Sequence, residues 1–139
     1  MDRNGLIKAA FEARKNAYAP YSNFKVGAAL LCDDGSVVKG ANIENASYGA
    51  TICAERSAVC SAVSSGKRSF SAIAVVGGDA SETDLLGGYA MPCGICRQVL
   101  REFSDPDAFT VIVARSLTDS REYTLSAILP ESFGPDNLK

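Results

Sequence analysis

An α/β layered domain with a largely covered mixed sheet is the fold class that the sequence predicts, on three observations. The chain opens on a stretch with helical spacing, in which Leu6, Ile7, Ala10, Phe11, Ala13, Ala17 and Tyr18 recur on one face. Two short apolar runs, Phe70 to Val76 and Thr110 to Ala114, lack polar alternation and suit strands covered on both sides. Segments with helix start and stop signals separate them. Helices set between short buried strands pack as layers.

The elements follow in order. Asn4 is placed to cap the first helix, and Pro20 ends its pattern. A strand is expected from about Lys25 to Cys32. Asp33-Asp34-Gly35-Ser36 is a turn signal, and Val37 to Ile43 reads as the return strand of a hairpin. A second helix begins near Cys53, turns Ala54, Ala58, Cys60, Ala62 and Val63 inward, and stops at Gly66. Gly77 to Met91 is loop-like, with four glycines, serine, threonine and acids. Pro92 then opens a third helix through Phe103, since proline is well tolerated in a first turn. Glu122 to Leu125 reads as a last strand, and Ser126 to Phe133 as a short helix or turn. No repeat or linker divides the chain, so one domain over residues 1–139 is expected.

Composition narrows the function. Of the 139 residues 47% are apolar and 22% charged, which is ordinary for a folded globular chain. Histidine is absent, so Ser-His-Asp triads, Cys-His pairs and His-based zinc motifs are all excluded. Any transition metal must be held chiefly by the five cysteines. Residues 1–70 carry nine basic and six acidic groups, and residues 71–139 carry five and ten. Basic side chains adjoin only at Arg14-Lys15 and Lys67-Arg68, which is no footprint for a nucleic-acid backbone. The longest nearly apolar run, Val26 to Cys32, is far short of the roughly 20 residues that span a bilayer. The N-terminus has no secretory character, and five is an odd number for a disulfide framework. A reducing, cytoplasmic setting is expected, with no membrane and no nucleic-acid partner.

Three cysteines sit at two predicted helix starts: Cys53 in Thr51-Ile52-Cys53-Ala54-Glu55-Arg56, and Cys93 and Cys96 in Met91-Pro92-Cys93-Gly94-Ile95-Cys96-Arg97-Gln98. Cys93 and Cys96 are three apart and share one face of a first helical turn, where the helix dipole favours thiolates. Zinc prefers four ligands in a tetrahedron, so three sulfurs leave one position open, as in catalytic sites. Glu55 lies two after Cys53, and in a regular helix such residues point apart. It reaches the open position only if Cys53 stands where dihedrals are not yet helical. A carboxylate there can take up a proton and hand it on without binding the metal. Alone, Cys-x-x-Cys is equally a redox pair, half of a structural zinc site or core cysteine. Cys-Ala-Glu followed forty positions later by Pro-Cys-x-x-Cys is sharper, being the ligand-and-acid pattern of the zinc deaminases in its all-cysteine variant.

The resemblance then extends along nearly the whole chain. Tyr18-Ala19-Pro20-Tyr21-Ser22-Asn23-Phe24-Lys25-Val26-Gly27-Ala28-Ala29 resembles the opening of the cytidine deaminases. So, in the same order, do Asn42-Ile43-Glu44-Asn45-Ala46-Ser47-Tyr48, Cys53-Ala54-Glu55-Arg56, the Pro92 to Gln98 motif, and Leu129-Pro130 with Ser132-Phe133-Gly134-Pro135. Length and ligand set are similar to the small homotetrameric kind.

The resemblance implies a three-layer α/β/α domain with a five-stranded mixed sheet. It also implies hydrolytic conversion of cytidine and 2′-deoxycytidine to the uridines with release of ammonia, in pyrimidine salvage. Cys53, Cys93 and Cys96 would hold one Zn²⁺ per subunit, and Glu55 would shuttle protons. Phe24, Asn42 and Glu44 would line the nucleoside pocket, the latter two at the ribose, and the Ala54 N–H would meet the pyrimidine carbonyl. Phe133, Ala46 and Tyr48 would complete a neighbouring subunit's site. Arg56 would donate to the thiolates, drawing charge from a centre whose three sulfurs outweigh Zn²⁺ by one unit. Taken singly, these residues have plainer readings. Phe24 reads as core, Asn42 with Glu44 as one solvated strand face, Phe133 as a docking anchor, Arg56 as helix surface, Cys60 as core and Cys32 as a bystander. Deamination of another cytosine-bearing compound, or a closed zinc or thiol-redox module, are the alternative functions.

Overall fold

The computed structural model describes all residues 1–139. Five strands form one sheet in the order β2-β1-β3-β4-β5. They are β1 (Phe24–Cys32), β2 (Val37–Ala41), β3 (Phe70–Asp79), β4 (Thr110–Ala114) and β5 (Ser120–Thr124). β1 runs antiparallel to both β2 and β3, β3 pairs with β4 in parallel, and β5 closes the edge antiparallel to β4. The sheet is therefore mixed. Its one parallel pair is bridged by a helical crossover, as parallel strands require.

Strand alternation sorts the apolar side chains onto two faces. Ala29, Ala72, Ala74, Val76, Ile112 and Ala114 meet α1 (Arg3–Arg14) through Leu6, Ile7 and Ala10. Ala28, Leu30, Ile73, Val75, Val111 and Val113 face the opposite way. They share a core with Ala54, Ala58, Val59 and Ala62 of α2 (Ala54–Ser64), Leu100 of α3 (Gly94–Glu102) and Leu125 of the short α4 (Leu125–Ile128). The result is the three-layer α/β/α arrangement with five strands. No helix is long and apolar enough to cross a membrane.

Several boundaries differ from expectation for identifiable reasons. Asp2, not Asn4, caps α1, its carboxylate accepting the Gly5 N–H at 2.9 Å. The helix ends at Arg14 rather than running to Tyr18. Arg14 turns inward instead. It donates to the carbonyls of Lys25 at 2.9 Å, Glu82 at 2.8 Å, Gly78 at 3.0 Å and Asp79 at 2.7 Å. One buried cation thereby ties together the start of β1, the end of β3 and the loop beyond. Cys60 is exposed, so the buried side of α2 is Ala54, Ala58, Val59 and Ala62. β2 stops at Ala41. Asn42 and Glu44 consequently lie outside β2, on either side of Ile43, which bridges Tyr18 and Ile52.

The helices approach the sheet closely at two glycines. A Cβ on Gly40 of β2 would stand 2.4 Å from Ala58 N and 2.5 Å from Ala54 O of α2. One on Gly27 of β1 would stand 2.1 Å from Ala10 O of α1. Both contacts are with backbone, which cannot swing aside. Gly40→Ala is expected to cost about 1–3 kcal/mol through overpacking against α2. Denaturant unfolding checks this, and an unchanged midpoint contradicts the close approach.

Candidate metal centre

Helices α2 and α3 lie side by side on one face of the sheet, and each is preceded by a cysteine with extended dihedrals. Cys53 has φ −69°, ψ 155° and Cys93 has φ −69°, ψ 169°. Both are N-cap residues, so Cys93 stands just outside α3 and only Cys96 lies within its first turn. Arg97 staples this turn, donating to Pro92 O at 2.7 Å and to Ile128 O at 2.6 Å. The spacing of the motif gives no hint of that arginine's role, because one of its partners is 31 residues away.

The Sγ atoms of Cys53, Cys93 and Cys96 all lie within 4.8 Å of one another, and Cys93 Sγ is 3.5 Å from Cys96 Sγ. A tetrahedral zinc with Zn–S of about 2.3 Å needs sulfurs about 3.8 Å apart, so the cluster fits that ion. No fourth Cys, Asp or Glu joins the group. Cys32 and Cys60 are free and stand apart from it.

The charges nearby suit the same purpose. The Cys53 thiol is pushed down to about 5, first by the hydrogen bond from Cys96 and then by Arg56. Cys96, the buried partner in that bond, is pushed up. A bound zinc deprotonates its coordinating thiols outright. Arg56 Nη2 lies 3.5 Å from Cys53 Sγ, and the anionic sulfur raises the guanidinium's affinity for its proton. Arg56 Nε is buried with no acceptor in the protein. Arg56 is thus half-buried against the sulfurs rather than a plain surface residue.

Glu55 is only 4% exposed, in the first turn of α2. Burial pushes its carboxyl up to about 7; its own backbone N–H and Arg56 oppose this, and the Cys53 charge adds to it. The extended backbone at Cys53 is what lets Cys53 and Glu55 serve one site despite their spacing. A carboxyl that titrates near neutrality, beside a three-sulfur cluster, can both accept and return a proton.

Of the remaining predicted residues, Phe24 opens β1, Ala54 opens α2, Tyr48 starts a 3₁₀ turn, and Asn42, Glu44, Ala46 and Phe133 lie in segments without regular structure. Phe24 is 44% exposed and so is not core. Asn42 is buried, and its amide bonds the β1 backbone: Oδ1 accepts Val26 N and Nδ2 donates to Phe24 O, both at 2.9 Å. One amide N–H remains for another partner. Glu44 accepts the N–H groups of Tyr21 at 2.9 Å and Ser22 at 3.1 Å and is bonded by the Ser22 hydroxyl, which lowers its pKa. It lines a cavity of about 320 Å³ with Tyr21, Ser22, Tyr48 and Thr51. Ala54 is the first residue of α2, where a backbone N–H has no intrahelical acceptor. Ala46, Tyr48 and Phe133 are exposed, away from any core.

A mixed α/β sheet that brings two cysteine-capped helix starts together beside a buried carboxyl defines a thiolate-zinc enzyme. Residues 2–112 match the family model for the cytidine and deoxycytidylate deaminase zinc-binding region. A cytidine deaminase from Halalkalibacterium halodurans is 49% identical over 138 residues, covering 99% of this chain and 98% of that one. The crystal structure of cytidine deaminase from Burkholderia pseudomallei superposes with a TM-score of 0.85 at 47% identity, covering 96% of this chain and 100% of the other. The corresponding structure from Mycobacterium tuberculosis gives 0.78 at 42% identity, over 96% and 98%. The chain belongs to the cytidine and deoxycytidylate deaminase family, and its zinc site is the Cys53, Cys93 and Cys96 cluster.

Proposed function

We propose that this protein hydrolyses cytidine and 2′-deoxycytidine to uridine and 2′-deoxyuridine, releasing ammonia, as a step of pyrimidine salvage in the cytoplasm. The observation that carries the reading is the buried Glu55 carboxyl beside three sulfurs within 4.8 Å of one another. Zinc held by those sulfurs supplies Lewis acidity, making water a nucleophile near neutral pH. In the reaction a C4–O bond forms and the C4–NH2 bond breaks. One hydrogen of the water ends on ring N3 and the other leaves with the amine. Glu55 carries both, taking each proton from the attacking oxygen and delivering it first to N3 and then to the departing nitrogen. Arg56 draws charge from the sulfurs, which offsets the anionic ligand set.

Substrate binding falls to the loops. The Ala54 N–H, at the positive end of α2, suits the pyrimidine carbonyl. Asn42, with its one remaining N–H, and the ionised Glu44 suit ribose hydroxyls as donor and acceptor. Asn42 is buried, and a buried donor left unmatched is costly, so a base without sugar is a poor substrate. Phe24 at the rim offers an aromatic face. Phe133, Ala46 and Tyr48 reach out of the subunit and complete a neighbour's site in a homotetramer of single-domain chains. Support for assembly comes from the aromatic side chains of Tyr18, Tyr21, Tyr48 and Phe133, all exposed beside or beyond the site. Competition among cytidine, 2′-deoxycytidine and free cytosine tests this, with mass measurement on the same sample. Both nucleosides should be consumed by a tetramer and cytosine barely touched. Equal use of cytosine, or an active monomer, contradicts the reading.

A further inference from the structure

The segment after α4 has no regular structure until a single 3₁₀ turn at Pro135–Asn137, yet α3 grips it firmly. Gln98 Nε2 donates to the Phe133 carbonyl at 2.9 Å. Arg101 Nε donates to Ser132 Oγ at 2.9 Å, and its Nη2 donates to Asp136 Oδ1 at 2.8 Å. Gln98 and Arg101 are three apart, so they present one face of the helix that carries Cys96. The Gly134 backbone passes directly over the guanidinium. A Cβ there would stand 2.4 Å from Arg101 Cζ and 2.6 Å from each Nη. The Arg101 side chain is only 12% exposed, held beneath the segment.

Between these fixed points the Phe133 ring is 58% exposed. A tail packed for stability alone would turn its largest apolar side chain inward. Here the backbone is clamped on both sides of Phe133 and the ring is held out.

We propose that Arg101, assisted by Gln98, is a positioning residue for substrate binding. It fixes the direction in which Phe133 leaves its own subunit, so the ring meets the pyrimidine in a neighbouring subunit already ordered. This rests on the reading that Phe133 completes a neighbour's nucleoside site. An aromatic that must be ordered on binding loses affinity, and the loss expected here is about three- to tenfold. The fork of Arg101 spans Ser132 and Asp136 at once, which the point charge of lysine cannot do.

The test is a double-mutant cycle in cytidine turnover, read with zinc content and hydrogen exchange over residues 132–138. Arg101→Ala should raise KM about three- to tenfold with little change in kcat or zinc, and should speed exchange at the Gly134 and Asn137 amides. Arg101→Lys should fall between Arg101→Ala and the unaltered protein. In a Phe133→Ala background, Arg101→Ala should raise KM no further. An unchanged KM in Arg101→Ala overturns the inference. So does an equal rise without the Phe133 ring, or a parallel loss of kcat and zinc. If Arg101→Ala does not fold, Asp136→Ala and Gly134→Ala each loosen the same clamp and must show the same KM pattern. An unaltered protein that does not turn over cytidine would instead sink the proposed function, while the exchange arm still reports on the clamp.

Discussion

Glu55→Gln lowers cytidine turnover by roughly 10²–10⁴-fold while the protein keeps its zinc. The side chain is nearly isosteric, so packing in the first turn of α2 is preserved. What is lost is a proton acceptor that burial has pushed up to about 7. An amide can neither take a proton from the attacking water nor hand one to the departing amine. The three sulfurs are untouched, so metal content separates this variant from a misfolded one. Steady-state kinetics with zinc quantified on the same preparation checks it. Turnover like that of the unaltered protein would show that another group moves the protons.

Cys96→Ser removes both zinc and activity. Cys96 is fully buried in the first turn of α3, within 4.8 Å of both partner sulfurs. A serine hydroxyl does not ionise near neutrality and is a poor exchange for a soft thiolate. Loss of groups that merely orient metal ligands already costs about 10–100-fold in affinity, so losing a ligand should cost more. The matched control is Cys60→Ser, since Cys60 is exposed on α2 and outside the cluster. It should retain one zinc per subunit and normal turnover. Metal analysis of the two variants decides how the five cysteines divide, and a zinc-free Cys60→Ser protein contradicts the division.

How much of this was legible in the sequence depends on how far apart the interacting residues are. The core of the site was legible because it is local. Cys53 with Glu55, and Cys93 with Cys96, each lie within one helix start, and cap geometry there follows from short-range rules. Strands β3 and β4 were legible over Phe70 to Val76 and Thr110 to Ala114 because both faces are covered, so an unbroken apolar run is their signature; Gly77 and Gly78, which carry β3 on to Asp79, read as loop instead. Long-range contacts were not, apart from that of Cys53 with Cys93 and Cys96, which the deaminase pattern links across forty positions. Arg14 reads as one more polar residue at a helix end until β1, β3 and a distant loop are folded around it. Gly40 is required because α2 crosses β2 there, a meeting that no periodicity records. Asn42 and Glu44 read as one solvated strand face, but β2 gives out at Ala41 and their side chains bind backbone in the Tyr21–Val26 stretch. Cys60 looked like core because its small neighbours at 58 and 62 are buried; the sheet covers a narrower stripe of α2 than that. The clamp of Arg101 on the C-terminal segment, 31 to 35 positions away, had no signal in either stretch alone.

The Cys53, Cys93 and Cys96 sulfurs would hold the zinc, and Glu55 would move the protons of the nucleoside deamination that the metal supports. The most direct measurement follows the loss of cytidine's ultraviolet absorbance together with ammonia release, with zinc quantified on the same sample before and after chelation. The account predicts about one zinc per subunit, stoichiometric uridine and ammonia, loss of turnover as zinc is removed, and recovery when it is restored. Deamination that persists in zinc-free protein, or zinc bound by four sulfurs with no deamination, would contradict it.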